Sequence, residues 1–262
     1  MFATSIIAAA LLEGALLAAP APAAPAAEPV AFVAIPAGEI RSTVRYEGDD
    51  GARRIATFEL SARAVTVREF ERFVQAHPQW KRGNAPTLLA DSAYLANWVD
   101  FDRAGDGVDA NAPVTHVSWF AADAYCKSIH ARLPDWSEWE YVAAADAARR
   151  DARSDSAWRA RTFDDGTPRA MDARPGAIAN AYGVHGVHGA AWEWVGDYAT
   201  LLGDADKRGS DDGDRLQFCG ATGLSFANRD DYAILKRVAL LSAMEPRSTL
   251  GNLGFRCARS SP

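Results

Sequence analysis

The sequence predicts an α+β domain built from short elements rather than long ones. Three observations point there: brief strand-like apolar runs near both ends of the mature chain, well-capped helical stretches in the middle, and eight tryptophans spread through turn-rich sequence. Aromatic side chains bury large areas each and can anchor loops that have little regular hydrogen bonding. With 262 residues, 48% of them hydrophobic, the chain can bury a full core, and no linker divides it into two domains. Its 34 acidic residues against 28 Lys and Arg leave a formal charge of −6. That balance argues against a dedicated nucleic-acid binder, which needs a clustered basic surface.

Residues 1–27 stand apart. Ala3 to Ala19 is almost wholly apolar, and an Ala/Pro tract follows with A-x-A steps such as Ala19–Ala21 and Ala24–Ala26. Length and small residues suit an export signal rather than a membrane-crossing helix, although no Lys or Arg precedes the apolar run and Glu13 interrupts it. The expectation is a signal peptide over 1–27, a domain over 28–262 and a periplasmic location, with membrane attachment only if the segment stays uncleaved. Three cysteines cannot all pair within one chain, so an oxidising compartment favours one disulfide and one leftover thiol.

Val30–Pro36 reads as a short strand, and Arg54–Leu60, which roughly alternates, as a second. Thr66 begins a helix with Glu69 at the capping-box spacing, and Phe70, Phe73 and Val74 lie on one face. Ser92–Val99 is a further short segment, and Asp102–Asn111 an acidic, turn-rich loop. Ser118 caps a helix from Trp119 to about Ile129, with Ala122, Tyr125, Cys126 and Ile129 inward. Pro134 breaks the run, and Asp135 or Ser137 opens the next helix, carrying Trp139, Val142 and Ala143. Asp146–Pro175 reads as a long polar surface excursion. Asn180–Tyr198, with glycines at 183, 186 and 189 beside two tryptophans, reads as irregular but packed. Asp204–Asp214 is another loop, and Phe255 and Cys257 point inward from a final strand.

The blocks VTHVSWFAADAYCKSIHARLPDWSEWEYVA, NAYGVHGVHGAAWEWVGD and NLGFRCAR, in that order, resemble the formylglycine-generating enzyme family, the sulfatase-modifying-factor domain. The opening FVAIPAG and the helix at Thr66 fit its amino-terminal half, so the resemblance spans about 30–260. It implies the family's α+β fold, related to C-type lectins and poor in regular secondary structure. It also implies a disulfide between Cys126 and Cys257. The alternative reading of the two is a pair of buried thiols packed as small hydrophobes.

True formylglycine generators hold copper(I) with two cysteines four residues apart, because paired thiolates are the soft donors this ion prefers. Counting back from NLGFRC, those positions fall near Asn228 and Ala233, and neither is cysteine. Copper chemistry of that kind is therefore not expected. Cys219 is the odd thiol, read either as a reactive or metal-binding group in the family's substrate cleft or, structurally, as a buried free cysteine or an intermolecular disulfide partner. The resemblance makes Trp194 a cleft-lining residue and Glu193 a calcium ligand, although Ala190 replaces the asparagine usual in that block. His185 and His188 with Glu193 can be drawn as an iron site of two histidines and a carboxylate, against the simpler reading of histidines in a glycine-rich turn. His116 reads as a hydrogen-bonding residue, and His77 and His130 as helix-end histidines. Lys236-Arg237 reads as a solvated basic face, with contact to an anionic group in the cleft as the alternative.

Segments such as HPQWKRGNAP, YLANW and FCGA are similar to family members that accompany nitrite- or nitrous-oxide-reduction genes. The expected function is an accessory protein binding a periplasmic protein or small-molecule ligand. The alternative is an oxidoreductase with a relocated iron or copper site, and sulfatase activation is a third reading.

Overall fold

The computed structural model describes residues 30–45, 50–165, 178–189, 191–199, 225–226 and 232–261. The segment read as an export signal, the stretch 204–214 read as a loop, Ala190, Cys219 and Asn228 lie outside the described residues.

Five short strands open the fold: β1 (Phe32–Ile35), β2 (Gly38–Arg41), β3 (Val44–Arg45), β4 (Ala52–Ile55) and β5 (Phe58–Ser61). The single strand expected over Arg54–Leu60 is thus two. The exposed pair Ala56-Thr57 separates them, and they take different partners, β4 with β2 and β5 with β1. Helix α1 (Val67–Ala76) starts as its capping box predicts. The Thr66 N–H donates to Glu69 Oε2 at 2.8 Å, and the Glu69 N–H returns a bond to Thr66 Oγ1 at 3.3 Å. These bonds satisfy amides that would otherwise lack helical partners. Its apolar face buries Val67, Phe70, Phe73 and Val74. The Phe70 ring meets those of Trp98, Tyr125 and Phe255 at 6.3, 5.9 and 6.0 Å.

Helix α2 (Trp119–Ser128) is capped by Ser118, whose Oγ accepts from the Ala121 N–H at 3.2 Å. Asp135 rather than Ser137 opens α3 (Trp136–Ala143), with its N–H donating to Glu138 Oε2 at 2.9 Å. The excursion after Asp146 contains a helix the polar sequence hides, α4 (Ser156–Asp165). It buries Trp158 and Thr162 alone among its described side chains, too few apolar positions to make a periodic pattern. The glycine-rich stretch is irregular, with Gly183, Gly186 and Gly189 all at positive φ, a backbone region glycine enters without steric cost. It ends in β6 (Trp192–Trp194), and β7 (Ser225–Phe226), α5 (Tyr232–Ser242), β8 (Leu253–Phe255) and β9 (Ala258–Ser260) complete the order.

Strand β5 lies between β1 and β9, antiparallel to both. Strands β6 and β8 pair in parallel, which sets Glu193 opposite Gly254. A side chain at Gly254 would place its Cβ 2.5 Å from the Val114 carbonyl oxygen, so only glycine lets β8 pass this close to the Val114 backbone. The expected disulfide is present: Cys126 of α2 is bonded to Cys257, between β8 and β9, across 131 residues of sequence. No helix among the described residues is long and apolar enough to cross a membrane.

Candidate functional site

Three of the sequence blocks meet in the interior beneath β6. Glu193, at the centre of β6, is fully buried. Its Oε1 accepts from Arg256 Nη2 at 2.8 Å, and its Oε2 accepts from Arg256 Nε and from Trp139 Nε1, both at 2.8 Å. Arg256 is itself fully buried and also donates to the carbonyls of Ser61 and His185, at 3.4 and 3.1 Å. Each polar atom of this bidentate pair is met, which is the condition under which a dry ion pair is tolerated.

A second guanidinium lies beside the first. Arg237 of α5 is 1% exposed, so the solvated basic face expected for Lys236-Arg237 is corrected at Arg237. The residue falls on the inward stripe of α5 with Ile234, Val238 and Leu241, and the aromatic floor of α3 receives it. Its guanidinium carbon is 3.6 Å from the centroid of the Trp139 ring and 5.8 Å from that of Trp136, within cation–π range. It donates through Nη2 to the Glu193 carbonyl oxygen. Burial pushes its pKa down to about 9, the Glu193 charge opposing and the Arg256 charge adding to the shift. Two buried cations therefore share one carboxylate.

A second buried carboxylate, Glu140, is hydrogen-bonded to Trp136. It accepts from Ser42 Oγ at 2.5 Å, the Thr43 N–H at 2.6 Å and Trp136 Nε1 at 3.1 Å, with Arg153 at 3.9 Å. Sequence reasoning missed Arg256, Trp139 and Glu140 as partners, and offered Arg237 only as an alternative contact to an anionic group. The available signal was a charge hemmed by inward residues: Glu193 between two tryptophans and Arg256 between Phe255 and Cys257. A lone charge in such a setting needs a buried counter-charge.

The residues proposed as ligands are dispersed. His188 turns inward, its Nε2 2.8 Å from the Ala143 carbonyl oxygen and its ring edge-on to Trp139 and Trp158 at 6.0 and 5.8 Å. His185 is exposed, and its backbone N–H donates to the Ala62 carbonyl at 2.7 Å. No group of three or more His, Cys, Asp or Glu able to hold a metal gathers among the described residues. The Glu193 carboxylate is committed to Arg256 and Trp139, so a dication there would have to displace a guanidinium and face Arg237 as well. Trp194, read as a cleft residue, is fully buried, donates from Nε1 to the Val117 carbonyl at 3.0 Å and lies edge-on to Tyr198. His116 holds the Ala93 carbonyl oxygen 3.1 Å from Nδ1, and His77 closes α1 with Nδ1 2.9 Å from the Phe73 carbonyl. Ala233, at one of the two positions where a copper cysteine is expected, is buried near the start of α5.

The sulfatase-modifying factor enzyme 1-like domain model matches residues 18–261. The chain belongs to this family. It is 33% identical to the formylglycine-generating enzyme of Thermomonospora curvata over 87% of this chain and 92% of that one. With the formylglycine-generating enzyme of Bos taurus the identity is 29%, covering 88% and 75% of the two chains. A mouse protein named inactive C-alpha-formylglycine-generating enzyme 2 is 28% identical over 57% of this chain and 49% of its own length. As a family member this chain departs from the copper-binding pattern. It has three cysteines, two are joined in the Cys126–Cys257 disulfide, and Cys219 alone remains. A two-thiolate copper site cannot be assembled from one thiol, so the chain does not supply the donor pair of that site.

Proposed function

We propose that this family member is an exported accessory protein that binds a partner protein or small ligand and does not form formylglycine with copper. One observation carries the reading: the disulfide leaves a single cysteine where the copper chemistry needs two. A long-range disulfide supports an oxidising compartment, in keeping with the apolar leader and a periplasmic address. The mouse relative named as inactive supports a non-catalytic role as one this family has taken elsewhere. Calcium, if bound, is structural in this reading.

The test is elemental analysis of the mature protein isolated from its own host, paired with assay of a C-x-P-x-R peptide under copper and oxygen. The expected result is an unchanged peptide, no stoichiometric iron or copper, and one free thiol. Conversion of the peptide cysteine to formylglycine overturns the proposal. Near-stoichiometric iron or copper that is lost in C219S, with oxygen consumed, replaces it by an oxidoreductase with a relocated metal site.

A further inference from the structure

We propose that the Nε edge of Arg237 binds a small monovalent inorganic anion of halide type, held within the core beside β6. The inference is independent of whether the protein is catalytic.

The two buried guanidinium groups are treated differently by the fold. Arg256 donates from Nε, Nη1 and Nη2, and both its charge and its hydrogens are met by Glu193, Ser61 and His185. Arg237 is equally buried, yet its only hydrogen bond among the described residues runs from Nη2 to a neutral carbonyl, that of Glu193. Its Nε, also buried, has no hydrogen-bond partner there. The Trp139 ring covers the guanidinium face at 3.6 Å, so a further acceptor must approach in the guanidinium plane, along the Nε–H direction. Guanidinium hydrogens lie in that plane and are directed outward, which suits a single spherical acceptor at one edge.

Charge points the same way. Among the described residues the cluster sums Arg237, Arg256 and Glu193 to one excess positive charge, and the carboxylate is already saturated by Arg256 and Trp139. An uncompensated cation in a dry interior is strongly disfavoured unless an opposite charge reaches it. A cation would add to the imbalance, whereas a monovalent anion cancels it and supplies the acceptor that Nε–H lacks. Burial excludes a bulky organic anion. A halide ion meets the charge and the one-edge geometry together.

The deciding experiment uses the full mature protein, disulfide intact, crystallised and soaked in sodium bromide, with data collected at the bromine absorption edge. The expected result is an anomalous peak in the Arg237 guanidinium plane beside Nε. A map with no peak there, or with Nε bonded to a protein acceptor, overturns the proposal. A solution measurement accompanies it: thermal unfolding as chloride replaces gluconate at constant ionic strength. Chloride should raise the melting temperature saturably, with the unfolding constant falling about tenfold when chloride reaches about ten times its dissociation constant. R237M should abolish that response, and a response kept in full by R237M overturns the assignment. Should R237M fail to fold, the bromide map on the unaltered protein decides alone.

Discussion

Replacing Glu193 by glutamine tests the buried charge cluster most directly. The carboxylate offers two acceptors to three donors: Oε1 takes Arg256 Nη2, and Oε2 takes Arg256 Nε and Trp139 Nε1, all at 2.8 Å. Glutamine keeps one acceptor and turns the other into a donor. Its best orientation leaves oxygen at the Oε2 position, where two donors converge, and sets the amide NH2 against Arg256 Nη2. One charge-assisted bond becomes a donor–donor contact, and two guanidinium groups lose their shared counter-charge. At an effective dielectric of about 20, unit charges about 4 Å apart interact by about 4 kcal/mol. Removing one partner of a buried pair costs about 3–5 kcal/mol by experience with other proteins. The two routes agree, and E193Q should lose about 3–5 kcal/mol, which for a domain of this size lowers the melting temperature by about 6–20 °C. Urea unfolding at pH 7, disulfide intact, reads the change. E193Q/R256M should lose less than the sum of the two single variants, since methionine removes the stranded charge together with its partner. An E193Q loss below about 1 kcal/mol, or strict additivity in the double variant, would refute the account of the cluster as a coupled buried ion pair.

Thiol titration of the unfolded protein without reductant should find one reactive group, rising to three after reduction, and C126S/C257S should lose roughly 5 kcal/mol by loop closure across the 131-residue separation. G254A should destabilise by about 1–3 kcal/mol through overpacking, because its Cβ meets the Val114 carbonyl at 2.5 Å; a melting curve matching wild type would count against the close approach of β8 to Val114. Glu69 is the site for a pH test. Burial raises its pKa, but Arg63 and the Thr66 groups outweigh that and hold it below the ordinary 4.5. A depressed carboxylate contributes stability above its unfolded pKa and loses it as pH falls through the folded value. The stability difference between wild type and E69Q should therefore be full above about pH 5 and shrink toward acid, as denaturant unfolding from pH 6 to 3 would measure; a gap that widens toward acid reverses the sign and sinks the argument.

What the sequence disclosed follows from how local each signal is. Thr66 with Glu69, Ser118 and Asp135 announce helix starts because caps act within one turn, and those starts stand in the structure. The strands were less legible. Residues of β4 and β5 form one alternating run in sequence, and only their different partners, β2 and β1, separate them. Helix α4 was hidden because its burial rests on Trp158 and Thr162 in a polar stretch. Arg237 was misread for the opposite reason, since a Lys-Arg pair looks solvated until Trp139 is placed beneath it. Partners 44 to 63 residues apart, as Arg237 and Arg256 are from Glu193, leave no local trace beyond a charge among apolar neighbours.

That pattern also explains why this chain's family membership is legible without the copper cysteine pair. The blocks that identify the family are those that supply Trp136, Trp139 and Glu140, then Glu193 and Trp194, then Arg256 and Cys257. Nearly every one of these side chains is buried and engaged with another: Trp139 and Arg256 with Glu193, Trp136 with Glu140, Trp194 with Val117, Cys257 with Cys126. Such residues are constrained together, because changing any one leaves a buried polar group or cavity behind. They therefore persist as a recognisable signature whether or not a reaction is retained. The copper cysteines belong to a different class, since a thiolate pair near Asn228 and Ala233 would serve the metal rather than this cluster. Ala233 packs into the core at the head of α5, and the helix continues to Arg237 and its tryptophan floor without it. Absence of the pair leaves the framework built on Glu193 whole, so the framework vouches for the fold and not for the copper chemistry.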